Sequence, residues 1–263
     1  FEFGDLTTLA MVETRLLARS KQVESKGVTP DPAAFAAVLA AREDPSREML
    51  GAAQQQWLEG TLATSTRAGK PWQVLGNQVV MARVPGPDLE RQMGADAFRA
   101  LTGKLPAPYN VGIPAALAGY RAGLPFNLDG WDGYPPARER LYASFARAGS
   151  RPLVLSGDSH AAWANNCRDA GGRLAAVEVG ATAISSASYG SLLPGIGRYI
   201  AEGADEVLFC DQDHKGFSLV TLTPGEARVE YHVVSTVFAK PFEHRVIQRA
   251  RIPAARDAAL ELV

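Results

Sequence analysis

The segment from Leu153 to His160 constrains the fold more than any other part of the chain. Three consecutive apolar residues, Leu153-Val154-Leu155, are followed two positions later by Gly157. A short apolar run that ends at glycine is typical of a buried strand that delivers the next residues to a sheet edge. The stretch before it opens at Pro135 and closes at Gly149, the residue types that start and stop a helix. A helix that leads into a buried strand favours an α/β fold.

Predicted strands and helices alternate over most of the chain. We predict strands over residues 3–15, 72–76 with a continuation through 79–81, 153–155, 174–179, 206–210, and a closing hairpin of 217–222 and 227–234. We predict helices near 33–41, from a Ser46 cap through Leu62, near 95–101 within a long loop over 85–127, at 135–149, and in the Ala- and Arg-rich tail 247–263. Asn165 and Asn166 are expected to turn the chain. This pattern predicts a layered α/β fold and is compatible with two sheets flanked by helices.

The charge balance and hydropathy exclude several classes of function. Lys and Arg number 27 against 28 Asp and Glu, for a net charge of −1. Without a basic excess, nothing indicates a nucleic-acid scaffold as partner. No run of about 18 apolar residues is present, so no membrane span is expected. The sequence opens at Phe1 without a methionine or a recognisable signal peptide, and we expect a truncated or processed chain.

The two cysteines, Cys167 and Cys210, do not form a Cys-x-x-Cys motif, so a zinc-ribbon site is not indicated. Two ordinary buried thiols are the simpler interpretation, and a disulfide is possible in an exported protein. Several serines invite a serine-hydrolase interpretation, but no Gly-x-Ser-x-Gly elbow is present. Whether the cysteines pair stays open at this point.

Asp158 and His160 are the candidate metal ligands. They follow Gly157 at the end of the predicted strand, where sites in α/β sheets gather. A carboxylate suits Ca²⁺, Mg²⁺ or Fe, and a neutral imidazole suits Fe or Zn. Two ligands two residues apart on an extended loop can point at neighbouring metals. A turn aspartate next to a hydrogen-bonded histidine is the alternative, and spacing alone does not exclude it.

The wider sequence resembles the PhoD-like phosphatase family. Gly157-Asp158-Ser159-His160, followed by a pair of alanines and Trp163, is similar to the family's late Gly-Asp-Val-His motif, with Ser159 where Val is usual. Other segments resemble family motifs in the same order. They are Phe3-Gly4-Asp5-Leu6 to Val12-Glu13-Thr14-Arg15, Leu50-Gly51 to Gln56-Trp57-Leu58, Leu75 to Met81, Asp129 to Arg140 with its Trp-Asp-Gly-Tyr-Pro sequence, and Gly216-Phe217 with the strand that follows.

This resemblance implies part of the four-layer αββα sandwich of calcineurin-like metallophosphoesterases, here with a C-terminal hairpin and the predicted tail helix. It implies hydrolysis of phosphate mono- or diesters by a metal-activated hydroxide or oxide, as in an alkaline phosphatase or phosphodiesterase. An iron and calcium cluster and a periplasmic or extracellular location are implied as well. Carried over by position, His160 would ligate iron and Asp158 a neighbouring calcium, and both would be catalytic.

The family's earlier ligand motifs lie upstream of its Phe-Gly-Asp segment and do not occur here. We therefore expect residues 1–263 to be the C-terminal portion of the phosphatase domain, with the missing N-terminal portion of the same protein as its partner. A non-catalytic fragment or partner subunit that uses the same sheet for binding is the alternative. The sequence leaves open the preference for monoesters or diesters, the metal identity and the oligomeric state.

A few further residues are candidates for the same site. Trp131, Asp132 and Tyr134 could line a substrate cleft, although a turn that seats the next helix is the favoured interpretation. His214 and Lys215 could reach a bound phosphate or could form an exposed loop pair. Arg15, at the end of a predicted strand, could contact the site.

Overall fold

Two β-sheets and a set of helices form the fold of the computed structural model, which describes residues 1–24 and 31–263. The strands are β1 (Glu2–Phe3), β2 (Thr7–Met11), β3 (Trp72–Gly76), β4 (Leu153–Ser156), β5 (Ala162–Arg168), β6 (Leu174–Gly180), β7 (Val207–Asp211), β8 (Lys215–Leu222), β9 (Glu226–Val234), β10 (His244–Pro253) and β11 (Glu261–Leu262). The helices are α1 (Pro32–Arg42), α2 (Ala52–Arg67), α3 (Leu89–Met93), α4 (Ala95–Thr102), α5 (Tyr109–Arg121), α6 (Pro135–Arg147) and α7 (Ile196–Glu202).

The larger sheet has seven strands in the order β1-β2-β3-β4-β6-β5-β7. Strands β2, β3, β4 and β6 are parallel, whereas β1 and β5 run antiparallel to their partners. The carboxyl ends of the four parallel strands therefore meet at one edge. The chain segments that leave this edge begin at Val12, Asn77, Gly157 and Ala181.

Both faces of this sheet are buried. In β4, Val154 packs into the core beneath the helices, while its neighbour Leu153 packs into the core between the two sheets. The apolar faces of α2 and α6 cover the first side, with Leu58 and Phe145 among the buried residues. A strand covered on both faces is apolar along its length, and this explains why β4 reads as a continuous apolar run.

The smaller sheet, in the order β11-β10-β9-β8, covers the other face. Its inward side chains include Val229 and Tyr231, which share a core with Val177 of the larger sheet. The Tyr231 hydroxyl donates a hydrogen bond of 2.6 Å to the Trp163 carbonyl and so joins the two sheets. Phe217, on the outer face, is half exposed. The described residues thus form three of the four expected layers: helices, sheet and sheet.

The predicted tail helix is wrong, because residues 247–263 contribute to strands β10 and β11. Within β10, Ala250 and Ile252 are buried while Arg249 and Arg251 are exposed. This alternation is the period of a strand. Pairing with β9 overrides the helical preference of the alanines and arginines.

The segment after β3 and the start of α2 also differ from prediction. The strand does not continue to Met81, because the Asn77 side chain bonds the Val79 carbonyl and turns the chain. Helix α2 is capped at Gly51, whose φ of +73° suits glycine, and not at Ser46. The predicted turn at Asn165-Asn166 is wrong, since both residues lie in β5.

The segment 85–127 contains three helices where one was predicted. The Asp88 carboxylate accepts a hydrogen bond from the Arg91 amide at 3.2 Å and caps α3. Helix α5 contains Pro114, Gly112 and Gly119, residues that weaken a helical pattern in the sequence. The predicted helix near 95–101 corresponds to α4.

Both thiols are free and buried, as the simpler interpretation of the cysteines predicts. Burial raises the pKa of the Cys167 and Cys210 thiols above the ordinary value, so both stay protonated at neutral pH. In the described part of the chain, no helix is long and apolar enough to cross a membrane.

The Glu178 carboxylate ties the segment after β3 to the sheet. Glu178 lies in β6, is fully buried, and accepts hydrogen bonds from the Met81 amide at 2.7 Å and the Ala82 amide at 3.0 Å. The Asn165 side-chain amide donates a third bond of 2.8 Å. The Glu178 carboxyl group thus provides the acceptor for three N–H donors that would otherwise be buried without partners.

We expect Glu178→Ala to lower the free energy of unfolding by about 3 kcal/mol or more, because three buried donors lose their acceptor. Urea denaturation of the purified variant measures this loss. The matched control is Glu261→Ala, which removes an exposed ion pair with Arg251 and should change stability by less than about 0.5 kcal/mol. Equal effects of the two substitutions would contradict this role for Glu178.

Candidate functional site at the carboxyl edge of the large sheet

The loop after β4 has an unusual backbone. Asp158 has a φ of +64° and His160 a φ of +57°, both in the left-handed region. Residues other than glycine pay a steric cost there, because Cβ crowds the carbonyl oxygen. Between them, the Ser159 amide donates to the Gly157 carbonyl at 2.7 Å. Two such residues within three positions are often found where side chains must be aimed at a ligand.

Several hydrogen bonds keep this loop in place. The His160 carbonyl accepts a hydrogen bond of 3.0 Å from the Lys215 ammonium, and the Thr182 hydroxyl lies 3.1 Å away. The Trp163 indole donates to the Ser159 hydroxyl at 2.8 Å. The loop thus enters from β4, leaves into β5, and is tied to the first residue of β8 and to the segment after β6.

The His160 ring is oriented by a backbone carbonyl. Its Nδ1 lies 2.7 Å from the Ala187 oxygen, which can only accept, so Nδ1 carries the hydrogen of the neutral ring. The lone pair is then on Nε2. This arrangement is the usual one for metal-binding histidines, whose other ring nitrogen donates to a carbonyl or carboxylate. The exposed ring of His160 is therefore chemically suited to bind a metal through Nε2.

The Asp158 carboxylate lies beside a guanidinium. Its Oδ2 is 2.6 Å from Arg15 NH2, and the Asp158 side chain is 42% exposed. Arg15 also pairs with Asp129 at 2.8 Å, and Arg19 joins the same carboxylate at 2.7 Å. Arg15 thus contacts a candidate ligand, as predicted, but from the segment after β2, because the strand predicted over 3–15 is instead the short pair β1 and β2 and ends at Met11.

The pKa of Asp129 reflects this pairing. Partial burial alone would raise it, but hydrogen bonds and charge from Arg15 and Arg19 lower it below the ordinary value. For Arg15, burial acts to lower the pKa, and Asp129 and Asp158 together raise it. The lowered pKa of Asp129 and the raised pKa of Arg15 therefore keep this pair ionised at neutral pH.

Asp158 and His160 lie on one loop but do not line one shared pocket in the described structure. Asp158 and Ser159 line a cleft whose walls include Phe126, Tyr189 and the segment after β3. His160 is not among its lining residues and is directed to the loop after β6, at the Ala187 carbonyl. The loop therefore presents its two ligand-type side chains on neighbouring sides.

The Trp131–Tyr134 turn seats the next helix, as the favoured interpretation predicts. Trp131 and Tyr134 are fully buried, and Asp132 forms a buried ion pair of 2.7 Å with Arg138 of α6. Of the three candidates, only Asp132 reaches the cleft beside Asp158.

His214 and Lys215 have different roles. His214 bonds Asp211 through Nδ1 at 2.9 Å, whereas Lys215 is buried and supports the His160 carbonyl. Burial lowers the Lys215 pKa, although Asp211 and Asp213 oppose this effect. An exposed loop pair is therefore the wrong description of Lys215, which lies beneath the loop.

The described residues include no group of three or more His, Cys, Asp or Glu side chains arranged to hold a metal ion. Asp158 and His160 have suitable donor atoms for a mixed oxygen and nitrogen site, but two ligands do not complete one. Sequence reasoning missed the Ala187 carbonyl and the support from Lys215. Asp129 falls in a segment that resembles a family motif, but its pairing with Arg15 and Arg19 spans 114 and 110 positions and has no local signal.

The positive φ of His160 predicts how substitutions at this position change the free energy of unfolding. We expect His160→Gly to be about 1 kcal/mol more stable to unfolding than His160→Ala, since alanine pays the cost of a positive φ and glycine does not. Both variants lack the imidazole, so the lost bond to Ala187 cancels in the comparison. Urea denaturation of the pair measures the difference. A more stable alanine variant would show that the loop does not hold this conformation.

Comparisons with known proteins identify the family and the fold of the chain. Residues 1–231 match the family model described as PhoD-like phosphatase. The chain is 26% identical over 243 residues to alkaline phosphatase D of Bacillus subtilis (strain 168), covering 90% of this chain and 34% of that protein. A solved structure of PhoD aligns with a TM-score of 0.69 at 21% identity, over 100% of this chain and 43% of that one.

The structural match confirms the mixed α/β fold with two sheets. The chain spans only about a third of the length of the curated relative. The family match covers most of the chain and includes the candidate ligand loop. On this evidence, the chain belongs to the PhoD-like phosphatase family.

Proposed function

We propose that the protein to which this chain belongs hydrolyses phosphate mono- or diesters with bound metal ions, and that Asp158 and His160 are two of the ligands. Family membership supports phosphoester hydrolysis in general. The observation that carries the assignment of residues is the His160 ring, whose Nδ1 donates to the Ala187 carbonyl and leaves Nε2 for a metal.

Iron and calcium are the proposed ions, by the family resemblance. The donor atoms agree with this pair, since imidazole suits iron and carboxylate suits calcium. When bound, the ions would activate a water-derived nucleophile and neutralise charge on the phosphoryl oxygens. The left-handed backbone at residues 158 and 160 aims the two side chains, and Lys215 and Thr182 keep the loop from relaxing.

Arg15 is the residue of this chain best placed to attract the substrate anion. Its guanidinium contacts Asp129 and Asp158, the second of which lines the cleft, and 28% of the Arg15 side chain is exposed. Arginine binds phosphate oxygens through paired N–H groups, and a guanidinium next to a candidate ligand is positioned to do so. Two carboxylates orient it before a substrate arrives.

The remaining ligands would come from a portion upstream of this chain. The chain covers 34% of the curated relative, and its described residues supply two ligand-type side chains at the loop. We therefore propose that the missing N-terminal portion is the partner with which this chain forms a complete site. A periplasmic or extracellular location is proposed on the family resemblance alone.

Substitution of His160 tests the proposal in the full-length protein. We expect His160→Gln to reduce metal content and to slow hydrolysis of p-nitrophenyl phosphate and bis-p-nitrophenyl phosphate by about 100-fold or more, the effect of losing about 3 kcal/mol of transition-state stabilisation. Elemental analysis and initial rates provide the two readouts.

The matched control is His232→Gln, a histidine on the smaller sheet that bonds His244 and not the ligand loop. It should leave metal content and rate unchanged. If His160→Gln also leaves both unchanged, the site assignment fails. If the wild-type protein binds metal but hydrolyses neither ester, the non-catalytic alternative replaces the enzyme.

A further inference from the structure

An aromatic wall adjoins the candidate ligand loop. The rings of Phe126 and Tyr189 meet edge to face with centroids 5.0 Å apart, and Tyr120 packs on Phe126 at 6.4 Å. Phe126 and Tyr189 line the same cleft as Asp158 and Ser159. Tyr189 is 50% exposed, although aromatic rings are usually more buried. The exposed ring of Tyr189 lies in the same cleft as Asp158 and is available to contact a ligand there.

Tyr189 is positioned by the same bonds that orient His160. Ala187, two residues earlier, accepts the hydrogen bond from His160 Nδ1. Ser188 accepts a hydrogen bond of 2.6 Å from the Lys215 ammonium, which also supports the His160 carbonyl. A 3-10 turn then fixes Tyr189, as the Leu192 amide donates to its carbonyl at 3.0 Å. The ring and the ligand loop are thus parts of one hydrogen-bonded unit.

Phe126 is fixed by a different part of the chain. Its amide donates to the Val84 carbonyl at 2.8 Å, so the ring is anchored to the segment that follows β3. The same segment lines the floor of the cleft with Val79, Val80 and Ala82. These side chains offer no hydrogen bonds to a polar group. The cleft is therefore acidic at Asp158 and Asp132 and apolar at the aromatic wall.

With the proposed cations on Asp158, a substrate that matches this cleft would have an anionic end for the cations and a planar apolar end for the aromatic wall. We propose that the aromatic wall of Phe126 and Tyr189 binds an aromatic group on the ester oxygen, so that the site prefers phosphate esters of aromatic alcohols and phenols. Aromatic rings prefer edge-to-face or offset contacts of the kind that Phe126 and Tyr189 already make. A third ring can extend this stack over the exposed Tyr189. The inference rests on the proposed function and names a substrate class for the same site.

Kinetics of the full-length protein test the preference. Benzyl phosphate and methyl phosphate have alkoxide leaving groups of similar basicity, so they differ chiefly in the ring. Tyr189→Ala should raise KM for benzyl phosphate about tenfold with little change in kcat, and should change kcat/KM for methyl phosphate less than twofold. A higher KM at unchanged kcat is expected when the lost contact binds the substrate and the transition state equally well.

Tyr109→Ala is the matched control, because Tyr109 is 44% exposed on α5 and does not line the cleft. It should leave both substrates unaffected. Equal losses on both substrates in Tyr189→Ala, or no loss on benzyl phosphate, would overturn the inference.

Calorimetry with two phosphonates separates this inference from the proposed function. Wild-type protein should bind benzylphosphonate about tenfold more tightly than methylphosphonate, and Tyr189→Ala should remove that difference. Because this readout needs no turnover, a protein that hydrolyses neither ester fails the proposed function alone. Equal affinity of the wild type for both phosphonates refutes the aromatic site.

Discussion

Burial of the seven-stranded sheet on both faces determines where ionisable groups can lie. Helices cover one side and the smaller sheet the other, so Leu153 and Val154 of one strand face two different cores. A carboxyl group buried in either core needs hydrogen-bond partners, as Glu178 has in Met81, Ala82 and Asn165. The charged side chains of Arg15, Asp129 and Asp158 lie instead at the carboxyl edge. Four parallel strands end there, and the loop of Asp158 and His160 is one of the segments that follow.

The ligand loop keeps a costly backbone because its surroundings stabilise it from several sides. Lys215 and Thr182 reach the His160 carbonyl, Trp163 reaches Ser159, and the Ala187 carbonyl orients the His160 ring. In the neutral ring, the bond to Ala187 places the hydrogen on Nδ1 and leaves Nε2 free. The same contacts couple the loop after β6 to the candidate ligand loop, and Tyr189 lies beside the cleft. Aiming of the ligands and shaping of the cleft therefore depend on the same hydrogen bonds.

Much of the fold can be predicted from apolar runs, because a strand buried on both faces leaves a plain signal. Strands β3, β4 and β6 were predicted this way, whereas the β8–β9 hairpin, exposed on its outer face, was predicted as two runs joined by a short turn. Strand β10 was missed because its Ala- and Arg-rich sequence favours a helix until β9 pairs with it. In the site, Asp158 and His160 are proposed as ligands from their position after a strand and from family resemblance. The bonds of His160 to the Ala187 carbonyl and to Lys215 were missed, since they join residues 27 and 55 positions apart and have no local pattern.

Crystals of the full-length, metal-loaded protein, measured at the iron absorption edge, test the central claim most directly. The account predicts an anomalous peak about 2.1 Å from His160 Nε2, with a second cation on the Asp158 carboxylate about 2.4 Å away. The Ala187 carbonyl should still accept from Nδ1. A metal cluster whose ligands include neither residue, with His160 facing solvent, would contradict the account.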